Sequence, residues 1–405
     1  MSRKDTQSEL TPRLRFPEFQ DAGPWEVTRL AEVVQQKAGN SKLIKGKLYS
    51  EARPGRFPGF SASGQDVWLD EFEQSGKAII VSAVGARCGR CFLADGKWSA
   101  IANTHILFPD PRRIDILFLF ATVTRDGFWV ISGSGQPFVK VRDSLEQPVP
   151  LPSLEEEKKI ADCLGSLDDL IAAEGRKLEA LRDHKKGLMQ QLFPREGESR
   201  PRLRFPEFAD AGEWVAQSIG EFGDISMCKR ILAHQTNDRD GVPFFKIGTL
   251  GATPDAYISR ERYEEYRRRY SFPRLGEVLI TCAGTVGKCV PYDGEDAYYQ
   301  DSNIVWIENP ETVVSNQFLF VVLTNVDWSK LNSTTITRIY LDDLRNLRIK
   351  VPRVNAEQQH IVDCLSSLDE LIAAQSDKLD ALRTHKRGLM QQLFPAPDVK
   401  AWGHR

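Results

Sequence analysis

An α/β chain in which two diverged mixed domains alternate with two long helices is predicted from three observations. A 35-residue block, residues 160–194, returns as residues 361–395 with 26 positions identical. The string PRLRFPEF opens each half, at residues 12–19 and 201–208. Between these shared parts lie stretches that align only loosely yet carry the same succession of strand and helix patterns.

The lead-in comes first. Each PRLRFPEF is followed by Asp-Ala-Gly-x-Trp, Asp21 to Trp25 and Asp210 to Trp214. In the diverged part that follows, an apolar strand enters a glycine turn, Ala78 to Gly85 in one half and Val278 to Gly284 in the other. A further strand run and an apolar segment, Ile114 to Thr124 and Asn316 to Val326, complete the pattern, and the last reads as a helix. Whatever distinguishes the two halves is done by these parts.

The shared block has a period of 3.5. Stepping alternately by three and four gives Leu164, Leu167, Ile171, Glu174, Leu178, Leu181, Lys185, Leu188 and Leu192, and then Leu365, Leu368, Ile372, Gln375, Leu379, Leu382, Lys386, Leu389 and Leu393. An apolar seam at that period is the mark of a coiled coil rather than of a helix lying on a sheet. Ser153 before Glu155, Glu156 and Glu157 reads as an N-cap with a capping box and solvated acids on the positive end of the helix dipole, and Asn355 with Gln358 reads likewise. Pro194 and Pro395 end the two helices. Such helices should pair, but a whole domain lies between them, so connectivity leaves their direction open. A pseudo-two-fold axis across the pair makes it antiparallel, the arrangement preferred here. The polar seam residues Glu174, Lys185, Gln375 and Lys386 either set register or sit at its edge.

Composition excludes several classes. With 41% hydrophobic and 27% charged residues the chain is globular, and with no long apolar run or secretory leader it is expected to stay in the cytoplasm, away from membranes. Seven cysteines, an odd number, suit free thiols. Cys88 and Cys91 form a lone CxxC without the further ligands a metal needs, so no metal site is expected. There is no P-loop, no methyl-donor and flipped-base motif pair, and no clustering of His105, His184, His234, His360, His385 and His404. Catalytic residues are therefore expected to be absent. The run Glu156-Glu157-Lys158 lacks the upstream strand residues of a nuclease motif.

A net charge of −2 means that any nucleic-acid surface must be a local patch. In the first half Lys37, Lys42, Lys45, Lys47, Arg53 and Arg56 oppose the single acid Glu51, and Arg87 and Arg90 sit in the glycine turn. In the second half the candidates are Lys229, Arg230, Lys246, Arg267, Arg268 and Arg269 beside Tyr263 and Tyr266, with Lys288 in the glycine turn. Alternatively, Glu261, Glu264 and Glu265 pair with those arginines along an exposed helix. Polar runs, Ser132 to Gln136 and Asn332 to Thr335 leading to Thr337 and Arg338, offer Gln136, Thr337 and Arg338 as groups that could read base edges.

Two diverged domains alternating with near-identical heptad helices, the proline-plus-Glu/Gln starts at Pro152 to Glu157 and Pro352 to Gln359, and the Leu-Asp-x-Leu-Ile cores at Leu167 to Ile171 and Leu368 to Ile372 closely resemble the specificity subunit of type I restriction-modification systems. The resemblance covers nearly the whole chain. It implies α/β (α+β) target recognition domains with twisted, mostly antiparallel sheets, each reading half of a split double-stranded DNA target. It also implies an antiparallel coiled coil that acts as a ruler and contacts two modification (methyltransferase) subunits, with restriction (translocase/endonuclease) subunits in the full complex. S-adenosylmethionine, ATP and Mg are then cofactors of the partners and not of this chain. The expected divisions are a lead-in at 1–25, the first recognition domain at 26–152, the first helix at 153–194, a linker repeating the lead-in at 195–214, the second recognition domain at 215–352, the second helix at 353–395 and a tail at 396–405. The competing readings are a two-domain coiled-coil scaffold for ligands other than DNA, and an orphan DNA-binding subunit without partners.

Overall fold

The computed structural model describes residues 11–331 and 338–395. The chain divides into two compact units, Met1–Arg176 with Ser376–Arg405, and Lys177–Gln375. Each holds one diverged domain and half of each long helix.

The first unit runs β1 (Glu26–Arg29), α1 (Leu30–Val33), β2 (Val34–Ala38), β3 (Phe57–Ser61), β4 (Gly64–Leu69), β5 (Gln74–Ser75), β6 (Ala78–Ser82), β7 (Cys91–Ala94), β8 (Lys97–Ala100), β9 (Thr104–Pro109), α2 (Ile116–Val123), β10 (Ile131–Ser132), β11 (Phe138–Val139), α3 (Val141–Leu145) and β12 (Pro148–Leu151), and then enters α4 (Leu154–Leu192). One sheet, in the order β2-β9-β6-β7, is antiparallel throughout; a second, β4-β3-β8-β5, contains one parallel pair, β3 with β8. β6 is buried along its whole length, and its period of two sends side chains to both layers. Ile79 and Val81 pack with Phe118 and Leu119 of α2, while Ala78 and Ile80 pack with Phe60 and Trp98 of the second sheet. Asp115 caps α2 by accepting from the N–H groups of Leu117 and Phe118.

The second unit repeats this plan with β13 (Val215–Ser218), α5 (Ile219–Phe222), β14 (Asp224–Ser226), β15 (Val242–Phe245), β16 (Tyr257–Ile258), α6 (Arg260–Arg269), β17 (Val278–Thr281), β18 (Cys289–Pro291), β19 (Tyr298–Tyr299), β20 (Ile304–Glu308), α7 (Asn316–Thr324), α8 (Leu341–Asn346), β21 (Arg348–Val351) and α9 (Asn355–Leu393). Its main sheet is β14-β20-β17-β18, again antiparallel, and β16-β15-β19 carries the one parallel pair, β15 with β19. In both units the first strand pairs with the last, β1 with β12 and β13 with β21, directly before the helix.

The helices run antiparallel within each unit. In the first, Lys386 bonds to Asp168 and Lys378 to Glu174, so α9 descends as α4 rises; in the second, Lys185 bonds to Asp369. Asp168 and Asp369 are repeat mates, as are Lys185 and Lys386, so one cross-helix ion pair is made twice. Every seam position named above is buried or half-buried, Gln375 among them. Glu174, Lys185 and Lys386 thus take part in pairing between helices.

The acidic helix starts differ from the sequence expectation. Ser153 does cap α4, accepting from the N–H of Glu156 at 3.2 Å. Glu156 and Glu157, however, are 1% and 0% exposed and are not solvated acids, and Glu156 turns to Arg15 and Trp25 instead of closing a capping box. Asn355 opens α9 instead of preceding it, and Gln358 is buried against the strand-to-α7 connection through the Val313 carbonyl and the Ser315 N–H. A helix head packed against a domain has no water to offer, so these side chains take protein partners.

Candidate nucleic-acid interface

In both domains the glycine turn and the residues that follow the polar run come together. The turn between β6 and β7 carries Arg87 and Arg90, and the run from Ser132, the last residue of β10, to Gln136 leads toward β11. Gly85 N–H donates to the Pro137 carbonyl at 2.8 Å, Val139 N–H donates to Ala83 at 2.9 Å, and Val84 bridges Phe138. Across the second domain the match is Ala283 bridged to Arg338 and Ile339 N–H donating to Cys282 at 2.9 Å, beside the turn that holds Lys288. Two separate stretches of sequence therefore make one strip in each domain: Arg87, Arg90 and Gln136 in the first, Lys288 and Arg338 in the second. Thr337 and the run from Asn332 to Thr335 lie outside the described residues.

A tryptophan seats each turn. Gly287 has φ +81°, and a Cβ there would lie 2.2 Å from Cδ1 of Trp328; Gly89, at φ +83°, would bring one to 3.2 Å from Cδ1 of Trp129. Only glycine meets both demands at Gly287.

The charges on the two domains differ in their engagement. In the first, Arg87, Arg90, Lys42 and Lys47 are exposed and make no ion pair among the described residues. Lys45 pairs with Asp66, and Arg53 lies 3.7 Å from Glu51. Arg56 stacks 3.3 Å above the Tyr49 ring and lies 3.5 Å from Asp70, while Lys37 sits over Phe108. In the second domain most cations have internal partners: Arg230 with Asp301 at 2.7 Å, Lys246 with Asp255 at 3.0 Å, and Lys288 with the Leu250 carbonyl. Lys229 lies over the Tyr270 ring, and Arg338 is 6.0 Å from the Tyr340 ring. On α6 the expected pairing with acids of the same helix holds for Arg269 with Glu265, at 2.7 Å. Arg267 instead reaches Asp296 at 3.1 Å and the Tyr263 hydroxyl at 3.0 Å, and Arg268 donates to the Glu264 backbone. Asp296, held by Arg260 first and then by Tyr263, stays below the usual carboxylate range. Tyr263 is a core residue, 1% exposed, and not an aromatic ready to stack on a base.

The CxxC thiols do not suggest a metal centre. Burial pushes Cys91 up to about 12, and its thiol donates to the carbonyls of Gly89 and Val123. Among the described residues no cluster of three or more His, Cys, Asp or Glu is placed to hold a metal, and no helix is long and apolar enough to cross a membrane.

Sequence reasoning missed a cluster at each helix head. The guanidinium of Arg15 grips Glu156 with both nitrogens of its fork, at 2.7 and 2.7 Å, and Trp25 Nε1 donates to the same carboxylate at 3.3 Å. Its repeat mates do the same: Arg204 to Glu357 at 2.8 and 2.7 Å, and Trp214 to Glu357 at 3.1 Å. Trp25 meets Phe118 and Phe394 edge-on, and those two rings stack at 5.3 Å; Trp214, Phe318 and Phe193 repeat the trio. Arginine, tryptophan and the Phe of Leu-Phe-Pro are identical in both copies yet off the heptad seam, which was the available signal.

Known proteins match this architecture. The family described as the type I restriction modification DNA specificity domain matches residues 23–183 and 211–384. A Haemophilus influenzae protein assigned as a type I restriction enzyme specificity subunit is 31% identical over 321 residues, 78% of this chain and 81% of its own. The MjaVIII type I restriction enzyme specificity subunit of Methanocaldococcus jannaschii is 26% identical over 413 residues, 94% of this chain and 93% of its own. Among solved structures, the type I restriction-modification S subunit from M. genitalium has a TM-score of 0.62 at 15% identity, covering 95% of this chain and 99% of that one. A chain from a structure on complex assembly and conformational transition of the type I system gives 0.55 at 20% identity, covering 92% and 98%. At such identities the structural likeness concerns the fold. The family match and the sequence relatives decide the rest: this chain belongs to the type I restriction-modification DNA specificity family and is a specificity subunit with two target recognition domains.

Proposed function

We propose that each recognition domain reads one half of a bipartite double-stranded DNA target, while the paired helices set the spacer and dock two modification subunits. The observation that carries this reading is the duplication: one turn-and-loop strip, on two domains that differ, is carried by two helix heads that share one arginine–glutamate–tryptophan clamp. Exposed arginines such as Arg87 and Arg90 suit phosphate oxygens, and amides such as Gln136 suit base edges. The pairs holding Lys246 and Arg269 are exposed and worth about 0–1 kcal/mol each, so phosphates can displace their acids at little cost.

The chain itself performs no chemistry in this reading. Adenine methylation with S-adenosylmethionine belongs to the modification subunits, and ATP- and Mg-dependent translocation and cleavage to the restriction subunits. Exchanging residues 26–152 for those of another specificity subunit should change one half of the methylated sequence in the host genome and leave the other intact. Change in both halves, or in neither, would refute independent readers.

The ruler has its own test. The junction after α4 is folded, with Leu203 N–H donating to Gln191 and Trp214 N–H to Ser199, so length must be added inside the helices. Seven residues inserted after Arg176 and seven after its mate Asp377 preserve the heptad phase and add about 10 Å at 1.5 Å per residue. At about 3.4 Å per base pair the spacer should grow by about three base pairs. An unchanged spacer with retained activity would sink the ruler.

A further inference from the structure

The lead-in segment touches both helices at once. Leu14 N–H donates to the Gln392 carbonyl at the tail of α9, while its neighbour Arg15 grips Glu156 at the head of α4. In the second unit Leu203 N–H donates to Gln191 at the tail of α4, and Arg204 grips Glu357 at the head of α9. Arg15 also donates to the carbonyls of Ala22 and Gly23, and Arg204 to that of Gly212, which fixes the path of the lead-in up to its tryptophan. Trp25 then packs on Phe118 of the recognition domain and Phe394 of the helix tail, and the next residue begins β1, whose partner β12 leads straight into α4. Helix head, helix tail and domain thus meet at one neck per unit.

We propose that these necks are positioning devices, with Arg15 and Arg204 holding each recognition domain at one angle on its helices and thereby limiting the range of spacer lengths accepted. The inference rests on the ruler reading above and goes beyond it by naming the joint. A helix pair of constant length measures a distance only if the domains it carries do not swing. The arginine side chains are 7% and 10% exposed and their glutamates 1% each, so water offers neither partner a substitute. A two-pronged guanidinium–carboxylate contact also has one preferred plane, unlike an ammonium, which is a point charge. With about 3.4 Å per base pair, a swing that moves the reading surface by that amount admits a spacer one base pair longer or shorter.

The test uses the full chain assembled with its modification subunits. Arg204→Lys keeps the charge and loses the fork. Methylation of sites whose spacer is one base pair too long or too short should rise by about tenfold relative to the parental site, with the half-site bases unchanged. Trp214→Phe keeps an aromatic ring beside Phe193 and Phe318 but removes the hydrogen bond to Glu357 and part of the indole packing, and should relax the spacer in the same direction by about threefold. Circular dichroism melting confirms that each variant is folded. Folded variants that reject the altered spacers as sharply as the parent overturn the proposal, as does a change in the half-site bases. The double insertion separates the two ideas: if it lengthens the spacer while both neck variants stay strict, the necks are refuted and the ruler stands; if it leaves the spacer unchanged, the ruler itself has failed.

Discussion

At the head of α4 Glu156 is followed by Glu157; at the head of α9 Glu357 is followed by Gln358, and all four side chains are buried. The first members are interchangeable, each held by an arginine and a tryptophan. The second members occupy one place with different chemistry. Gln358 is satisfied at both ends, accepting from Ser315 N–H at 3.0 Å and donating to the Val313 carbonyl at 2.8 Å. Glu157 accepts from Asp115 N–H at 2.6 Å, but its Oε1 has no hydrogen-bond partner. A carboxylate cannot donate where the amide does, and burial, aided by the Asp115 carboxylate, pushes Glu157 up to about 8. Repeats that keep one framework can therefore differ in how stable each half is.

The largest effects should come from the position the two heads share. Arg15→Ala and Arg204→Ala each leave a buried glutamate without its cation, and each should cost about 3–5 kcal/mol in urea unfolding of the assembled chain, with hydrogen exchange locating the loosened head. Markedly unequal costs would break the equivalence of the two necks.

Next is the position that differs. Because the folded-state pKa of Glu157 lies above the usual carboxyl value of 4.5, the folded chain holds the extra proton between them. The contribution is complete below about pH 4.5 and is lost as pH rises to about 8. Glu157→Gln should abolish that slope and stabilise the first unit above pH 8 by up to a few kcal/mol, and Gln358→Glu should create the slope in the second. A parental protein whose first unit shows no such slope across this range would mean that Oε1 has water at hand.

The turns sharpen the comparison at smaller scale. Gly287→Ala places a Cβ against the Trp328 ring in a left-handed backbone and should cost about 2–3 kcal/mol, whereas Gly89→Ala, with more room at Trp129, should cost about 1–2 kcal/mol. Affinity for the half-site of the affected domain should fall with each, read by binding to oligonucleotides that carry one altered half-site. Equal effects would mean that strain alone, and not the tryptophan seat, decides.

The smallest effects concern single charges. Arg87→Ala with Arg90→Ala should flatten the salt dependence of DNA binding by nearly two in the log–log slope, at about 0.9 per phosphate contact. Arg269→Ala should change it less, because Glu265 is already its partner. The reverse order would place the phosphate path along α6.

Much of this protein is written in one dimension. A repeated string needs no tertiary contact to be seen, and a period of 3.5 follows from how side chains project from a helix, so the duplication, the paired helices and the alternation of shared and diverged parts were legible in residues alone. The apolar runs at Ala78 and Val278 likewise announced strands, and the fold buries both along their whole length. What the string could not show is contact across long separations. Glu156 meets Trp25 across 131 residues, and a run of acids after a capping serine reads the same whether the helix start faces water or an arginine. The joining of glycine turn to polar loop depends on the register between β-bridged segments, and the internal engagement of Arg267 depends on Asp296 being 29 residues away in sequence and 3.1 Å away in space. Local periodicity decides which elements form; burial and partner choice are properties of the packed whole, because the cost of a buried charge is set by whichever residues the fold brings to it.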